Sequence, residues 1–246
     1  MDLVQWIIEP FSHAFMQRAL ISAILIGMVC SVFSCFLILK GWSLMGDAVS
    51  HAVLSGIAIA YVINIPLSIG AFIAGLFSST MMGAIKHHSR VKEDAIMGIV
   101  FSGMFALGIL LITKIETDVH LLHVLFGNIL GITQFDLIEM ALISSVCFLI
   151  MIIKRKDFML LCFAPAQANG VGLSVKALQI ALLCLLSLTI VSALKAAGII
   201  LVVAMLIAPG AIGFLTSKTF DKMLAVAVTT SVSACFLGTL LSYHLD

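Results

Sequence analysis

Apolar runs of about twenty residues recur along this chain, and they limit its fold more than anything else in it. Eight can be marked, over residues 14–39, 47–63, 67–85, 95–113, 135–153, 177–194, 197–215 and 223–243. A helix needs about 20 mostly apolar residues to cross hydrocarbon. The other spanning structure, a β-barrel, needs apolar and polar residues to alternate at every second position. These runs are continuous, so the expected class is all-α: a polytopic membrane protein with about eight transmembrane helices. Composition agrees, since 62% of the 246 residues are hydrophobic and only 10% are charged. A soluble domain carries about 25% charged residues. Disorder is excluded too, because so much apolar surface cannot be left in water. The net charge of +1 points to no nucleic-acid partner.

The breaks between runs are polar. Lys40-Gly41 ends the first, and Asn64 to Pro66 makes a tight turn after the second. The loop 86–94 (KHHSRVKED) is too charged for hydrocarbon, and 154–157 (KRKD) closes the fifth run. Residues 195–198 separate the sixth run from the seventh, and 217–222 separate the seventh from the eighth. With the N-terminus outside, ten of the thirteen basic residues face the cytoplasm, leaving Arg18, Lys114 and Lys195 outside. The excess of basic residues on cytoplasmic loops selects that orientation. The N-terminal MDLVQWIIEPF has acidic Asp2 and Glu9 and no basic start, so it reads as an interfacial segment, not a cleaved signal. No two of the six cysteines form a CxxC pair, which leaves them as small buried hydrophobes.

Two segments are neither plain loop nor plain span. Residues 124–132 (VLFGNILGI) are apolar but too short to cross, which suits a re-entrant or external interfacial piece. Residues 158–175 lie on the cytoplasmic side. There Pro165 is a natural first helical residue, and Gly170 and Gly172 are natural stops. That describes a short cytoplasmic helix, suited either to docking on another protein or to simple connection.

An ionisable residue inside an apolar span marks a functional site by default. Asp47 and His51 open the second run, four apart and therefore on one helical face. Ser43, Ser50 and Ser55 lie nearby in sequence. Carboxylate plus imidazole suits Mn²⁺, Fe²⁺ or Zn²⁺. Two ligands are too few for a selective site, but a second copy of the helix across a two-fold axis makes four. The same spacing also serves a structural Asp–His hydrogen bond. Glu116, Asp118, His120 and His123 form an external cluster, readable as a cation-gathering vestibule or as a solvated loop. Pro209-Gly210 interrupts the seventh run, where proline kinks a helix. The chain has no phosphate loop and no HExxH motif, so a pump built on it draws its energy from ions or from a separate ATPase.

The run GDAVSHAVLSGIAIAY resembles the most distinctive stretch of the metal-uptake ABC transporter permeases, the ABC-3 family. KEDAIMGIVFSGMFALGILL, HVLFGNILGI, FAPAQANGVGL and AAGIILVVAMLIAPGAIGFL resemble later family segments in the right order, over roughly residues 10–246. The SHAVL form with LFGNILG is most like the manganese and iron branch. The resemblance implies one permease domain over 1–246 in a bacterial inner membrane, importing Mn²⁺ or Fe²⁺ and less readily Zn²⁺. It implies no permanently bound cofactor and no enzymatic activity of the chain's own. It implies a second permease chain (the same or a different one), a cytoplasmic ATPase dimer and an external metal-binding protein as partners. The family's membrane metal site maps onto Asp47 and His51, and its ATPase-docking helix onto residues 163–173. Ser55 stands where the family usually has proline, so a different bend is expected there. Ala164 stands where it usually has an acidic residue, and the chain stops one apolar segment short of the family's usual length. The rival function is a proton-coupled transporter with Asp47 and His51 as relay.

Overall fold

The structure is a computed structural model that describes residues 9–42, 44–114, 127 and 131–245. A short 3-10 turn over Glu9–Ser12 leads into α1 (Ala14–Lys40). Then come α2 (Met45–Ile63), α3 (Leu67–His88), α4 (Glu93–Lys114) and α5 (Gln134–Ile153). Two short helices follow, α6 (Arg155–Phe163) and α7 (Pro165–Gly170), and then α8 (Val175–Thr216) and α9 (Phe220–Leu245). Seven of these are long and apolar enough to cross a membrane.

All eight expected runs are helical, and the sixth and seventh fall in one 42-residue element, α8, in which two helices meet at a kink. A straight helix of that length would measure about 63 Å, twice the hydrocarbon thickness of about 30 Å. It is not straight: Gly198 sits at φ 66°, ψ 172°, which is not helical. The polar stretch 195–198 is thus helical up to its last residue, and the break falls on the glycine. Gly127, also at positive φ, packs onto this break, and a Cβ there would lie 2.4 Å from the Gly198 nitrogen. The external cluster Glu116, Asp118, His120 and His123 lies outside the described residues.

Helix ends follow local chemistry. Gly41 (φ 75°) and Asn64 (φ 57°) take the left-handed conformation that closes α1 and α2. Thr133 caps α5 by accepting from the Asp136 backbone N–H. Pro165 starts α7 at its first position, as the sequence suggests.

α1 is the centre of the bundle, packed against α5, α8 and α9. α2 packs against α3, α4 and α8. Among the described residues every buried polar side chain is a serine or threonine, and most bond a helix carbonyl. Next to Pro209, α1 supplies partners to α8: the Ser34 hydroxyl donates to the Ile207 carbonyl at 3.1 Å and accepts from the Gly210 N–H at 2.9 Å.

The crossing of α2 and α3 fixes where α2 stands. A Cβ on Gly56 would lie 2.2 Å from the Gly70 carbonyl oxygen, and one on Gly70 would lie 2.5 Å from that of Gly56. These backbones touch as only glycines allow. We expect Gly56→Val or Gly70→Val to cost about 1–3 kcal/mol, the usual penalty of overpacking. A thermal-shift measurement in detergent checks this, with a clear fall in melting temperature as the expected outcome.

Candidate metal site

Asp47 is the third residue of α2 and His51 stands one turn further on. The imidazole Nε2 lies 3.2 Å from the Asp47 Oδ1. Their side chains are 18% and 32% exposed, His51 the more enclosed, so both can still be reached. The imidazole is wedged between two rings of α4. Phe101 and Phe105 meet it edge to face, with centroids 4.8 and 4.9 Å away. These two phenylalanines, themselves four apart, stack nearly parallel at 13°. The His51 Nδ1 is buried without a hydrogen-bond partner. One nitrogen therefore answers Asp47, and the other is held in an apolar slot.

The neighbouring serines do not extend the pair into a larger cluster. Ser50 donates to the Gly46 carbonyl and Ser55 to the Ala52 carbonyl, and both are fully buried. Ser43 lies outside the described residues. Ser55 also leaves α2 unbroken from Met45 to Ile63, because its hydroxyl bonds back into its own helix where a proline would open it. Among the described residues no three His, Cys, Asp or Glu side chains come together. Asp47 and His51 are two donors, not a closed shell.

The phenylalanine clamp and the exposed face of α4 beside it carry no ionisable residue that would single them out in the sequence. Ala95, Ser102, Gly103 and Ala106 are exposed there, and Gly98 and Gly103 have open space over them. The readable signal is the four-residue spacing of Phe101 and Phe105, the same as that of Asp47 and His51.

α6 and α7 contain most of residues 163–173, the expected docking segment. Phe158 is buried against Phe36 of α1, with centroids 6.1 Å apart. Lys40 donates to the Leu161 carbonyl at 3.3 Å, and Arg155 donates to Asp221 at the start of α9 at 2.8 Å. The far side is open, with Phe163 62% and Val171 70% exposed. Ala164 is the residue between the two helices and offers no side-chain cap to α7. An acidic residue there would supply one.

The model of the ABC 3 transport family matches residues 12–246. The chain belongs to the ABC 3 transport family. It is 57% identical over 244 residues to the chelated iron transport system membrane protein YfeD of Yersinia pestis, covering 99% of this chain and 82% of that one. It is 50% identical over 241 residues to the manganese transport system membrane protein MntB of Synechocystis, covering 98% and 79%. Among solved structures it is similar to PsaBC of Streptococcus pneumoniae in complex with a Fab. The TM-score is 0.83 at 33% identity, over 99% of this chain and 94% of that one. An inward-facing metal-chelate type ABC transporter shares the fold, with a TM-score of 0.73 at 15% identity, over 94% and 78%. Seven spanning helices and this family membership make the chain a multi-pass inner-membrane permease subunit.

Burial pushes the Cys162 thiol of α6 up from the ordinary 9.0 to about 11, with Lys40 pulling the other way. Only the thiolate reacts with alkylating reagents. At pH 8 a thiol titrating two pH units higher is ionised about a hundredfold less. We therefore expect maleimide labelling of Cys162 to be about a hundredfold slower than that of a free thiol at pH 8, rising as the pH approaches 11. Mass spectrometry of the labelled peptide checks this.

Proposed function

We propose that this permease imports a divalent transition-metal ion, Mn²⁺ or Fe²⁺ before Zn²⁺, and that Asp47 and His51 hold the ion as it crosses. One observation carries the reading: a carboxylate and an imidazole meet at 3.2 Å on an otherwise apolar helix. An ionisable pair so placed is expensive and is kept for what it binds. The names of the relatives, an iron and a manganese transport protein, support the choice of cargo. The donor set supports it independently, since mixed carboxylate and imidazole ligands suit these ions.

The two donors need completing. A second permease chain supplies another carboxylate and imidazole, and two carboxylates then balance the charge of the dication. The small exposed residues of α4 leave room for a second chain close to His51. Residues 1–246 act as one permease domain. Residues 163–173 dock a partner ATPase dimer, which supplies the energy this chain cannot, and the exposed Phe163 and Val171 give that segment its apolar contacts. An external metal-binding protein delivers the ion. Gly198 and Pro209 give α8 two points at which it can bend while the site opens to one side and then the other.

Uptake of radioactive Mn²⁺ by cells carrying Asp47→Ala or His51→Ala tests the assignment, with the amount of assembled transporter measured alongside. Even losing a group that only orients a metal ligand costs roughly 10–100-fold, so a loss of about a hundredfold or more is expected at unchanged assembly. Normal uptake by both variants would sink the assignment. Uptake that persists without any ATPase would favour a proton-coupled carrier.

A further inference from the structure

His51 meets Asp47 through one nitrogen only. Its Nε2 lies 3.2 Å from the Asp47 Oδ1, while Nδ1 is buried and finds no hydrogen-bond partner among the described residues. A metal-binding histidine ordinarily donates from its other nitrogen to a carboxylate, a carbonyl or water, and that bond fixes how the ring lies. Here no such bond is made. The ring is met instead by two phenylalanines of α4.

The register of α4 brings them there. Phe101, Phe105 and Gly108 stand four and three apart, which places them in one stripe of the helix. The stripe faces α2. Gly108 is buried, and a Cβ on it would lie 3.0 Å from the backbone nitrogen of Ser55, one turn along α2 from His51. That close approach sets the two helices together and carries both rings to the imidazole, with centroids 4.8 and 4.9 Å away. The phenylalanines lie nearly parallel to each other, at 13°, and the imidazole stands at 69° and 80° to them. Edge-to-face contact is an arrangement that aromatic rings prefer. Two such contacts from parallel rings oppose rotation of the imidazole. Leucine in either place would fill space without setting an angle.

The angle decides whether the two donors can serve one ion. Bonds from imidazole nitrogen and carboxylate oxygen to a zinc-sized dication are about 2.1 Å long, so neighbouring ligands stand roughly 3.0–3.4 Å apart. Nε2 and Oδ1 already have that separation, and turning the imidazole would take Nε2 out of it. We propose that Phe101 and Phe105 are positioning residues for the transported ion: their rings do the task of the missing hydrogen bond and keep Nε2 of His51 directed at the place beside Asp47 where the ion binds. The proposal rests on the reading of Asp47 and His51 as metal ligands. Because both rings ride on α4, a shift of α4 against α2 would release the imidazole.

Mn²⁺ binding to the intact transporter, followed by the loss of the free-ion paramagnetic resonance signal, tests this. Losing a group that orients a metal ligand costs roughly 10–100-fold in affinity. Phe101→Leu and Phe105→Leu should each weaken Mn²⁺ binding by that factor, with the number of ions bound at saturation unchanged. Phe101→Tyr, which keeps the ring, should recover the affinity lost with leucine. Leucine variants that bind Mn²⁺ as tightly as the wild type overturn the proposal, and so does a tyrosine variant no better than leucine. Loss of sites at unchanged affinity overturns it too, because it marks the rings as packing alone. Failure of the ligand reading shows separately in the same assay, as Asp47→Ala and His51→Ala variants that bind Mn²⁺ like the wild type.

Discussion

In hydrocarbon an unpaired peptide group has no water to turn to. Every long apolar run here must therefore form a helix, and every departure from a helix must be supplied with partners by the protein. Two departures matter. Around Pro209, which has no N–H to give, the Ser34 hydroxyl reaching from α1 takes up both the Gly210 N–H and the Ile207 carbonyl. At Gly198 the helix breaks, and Gly127 packs directly onto the exposed backbone. Both lie on α8, which packs against α1, the centre of the bundle. The bundle is thus built around α1 and the two helical halves of α8 that meet at Gly198.

The same rule gives Asp47 and His51 their meaning. The other buried polar side chains described are hydroxyls, which a helix carbonyl can satisfy within the same chain. An ionised carboxylate, which only accepts, cannot be satisfied that way. Asp47 and His51 are set against each other, with Phe101 and Phe105 holding the ring edge to face. What remains is a pair of donors with too few ligands for a metal ion, next to an exposed face of α4 on which Ser102, Gly103 and Ala106 stand among Ile99, Leu107 and Leu110. Under the proposed function this pair is half of a site that a second chain completes.

The spans are legible in the sequence because the bilayer imposes a length and an apolar content that little else demands. The pairing of Asp47 with His51 is legible from a spacing of four. The start of α7 at Pro165 is legible because proline needs no N–H there. The break at Gly198 is harder to see. The polar Lys195 suggests a full separation of two spans, yet the backbone stays helical until the one residue without a side chain. Ser55 is misleading in a different way, since its hydroxyl turns into its own helix and gives the pair no help. Lys195 with Asp136 and Glu139 joins positions 59 and 56 residues apart, and no local pattern links such residues. The phenylalanine clamp is hidden for the same reason, because its two spacings of four match only once α2 and α4 are packed together.

The central claim is that Asp47 and His51 are half of a metal site completed by a second permease chain. The most direct test is the structure of the assembled transporter with Mn²⁺ bound, with the metal located by its anomalous scattering. The account predicts one strong peak between the two chains, within coordination distance of Asp47 and His51, at one metal ion per pair of permeases. A peak bound by a single chain alone, or none near this pair while the metal is still transported, would contradict it.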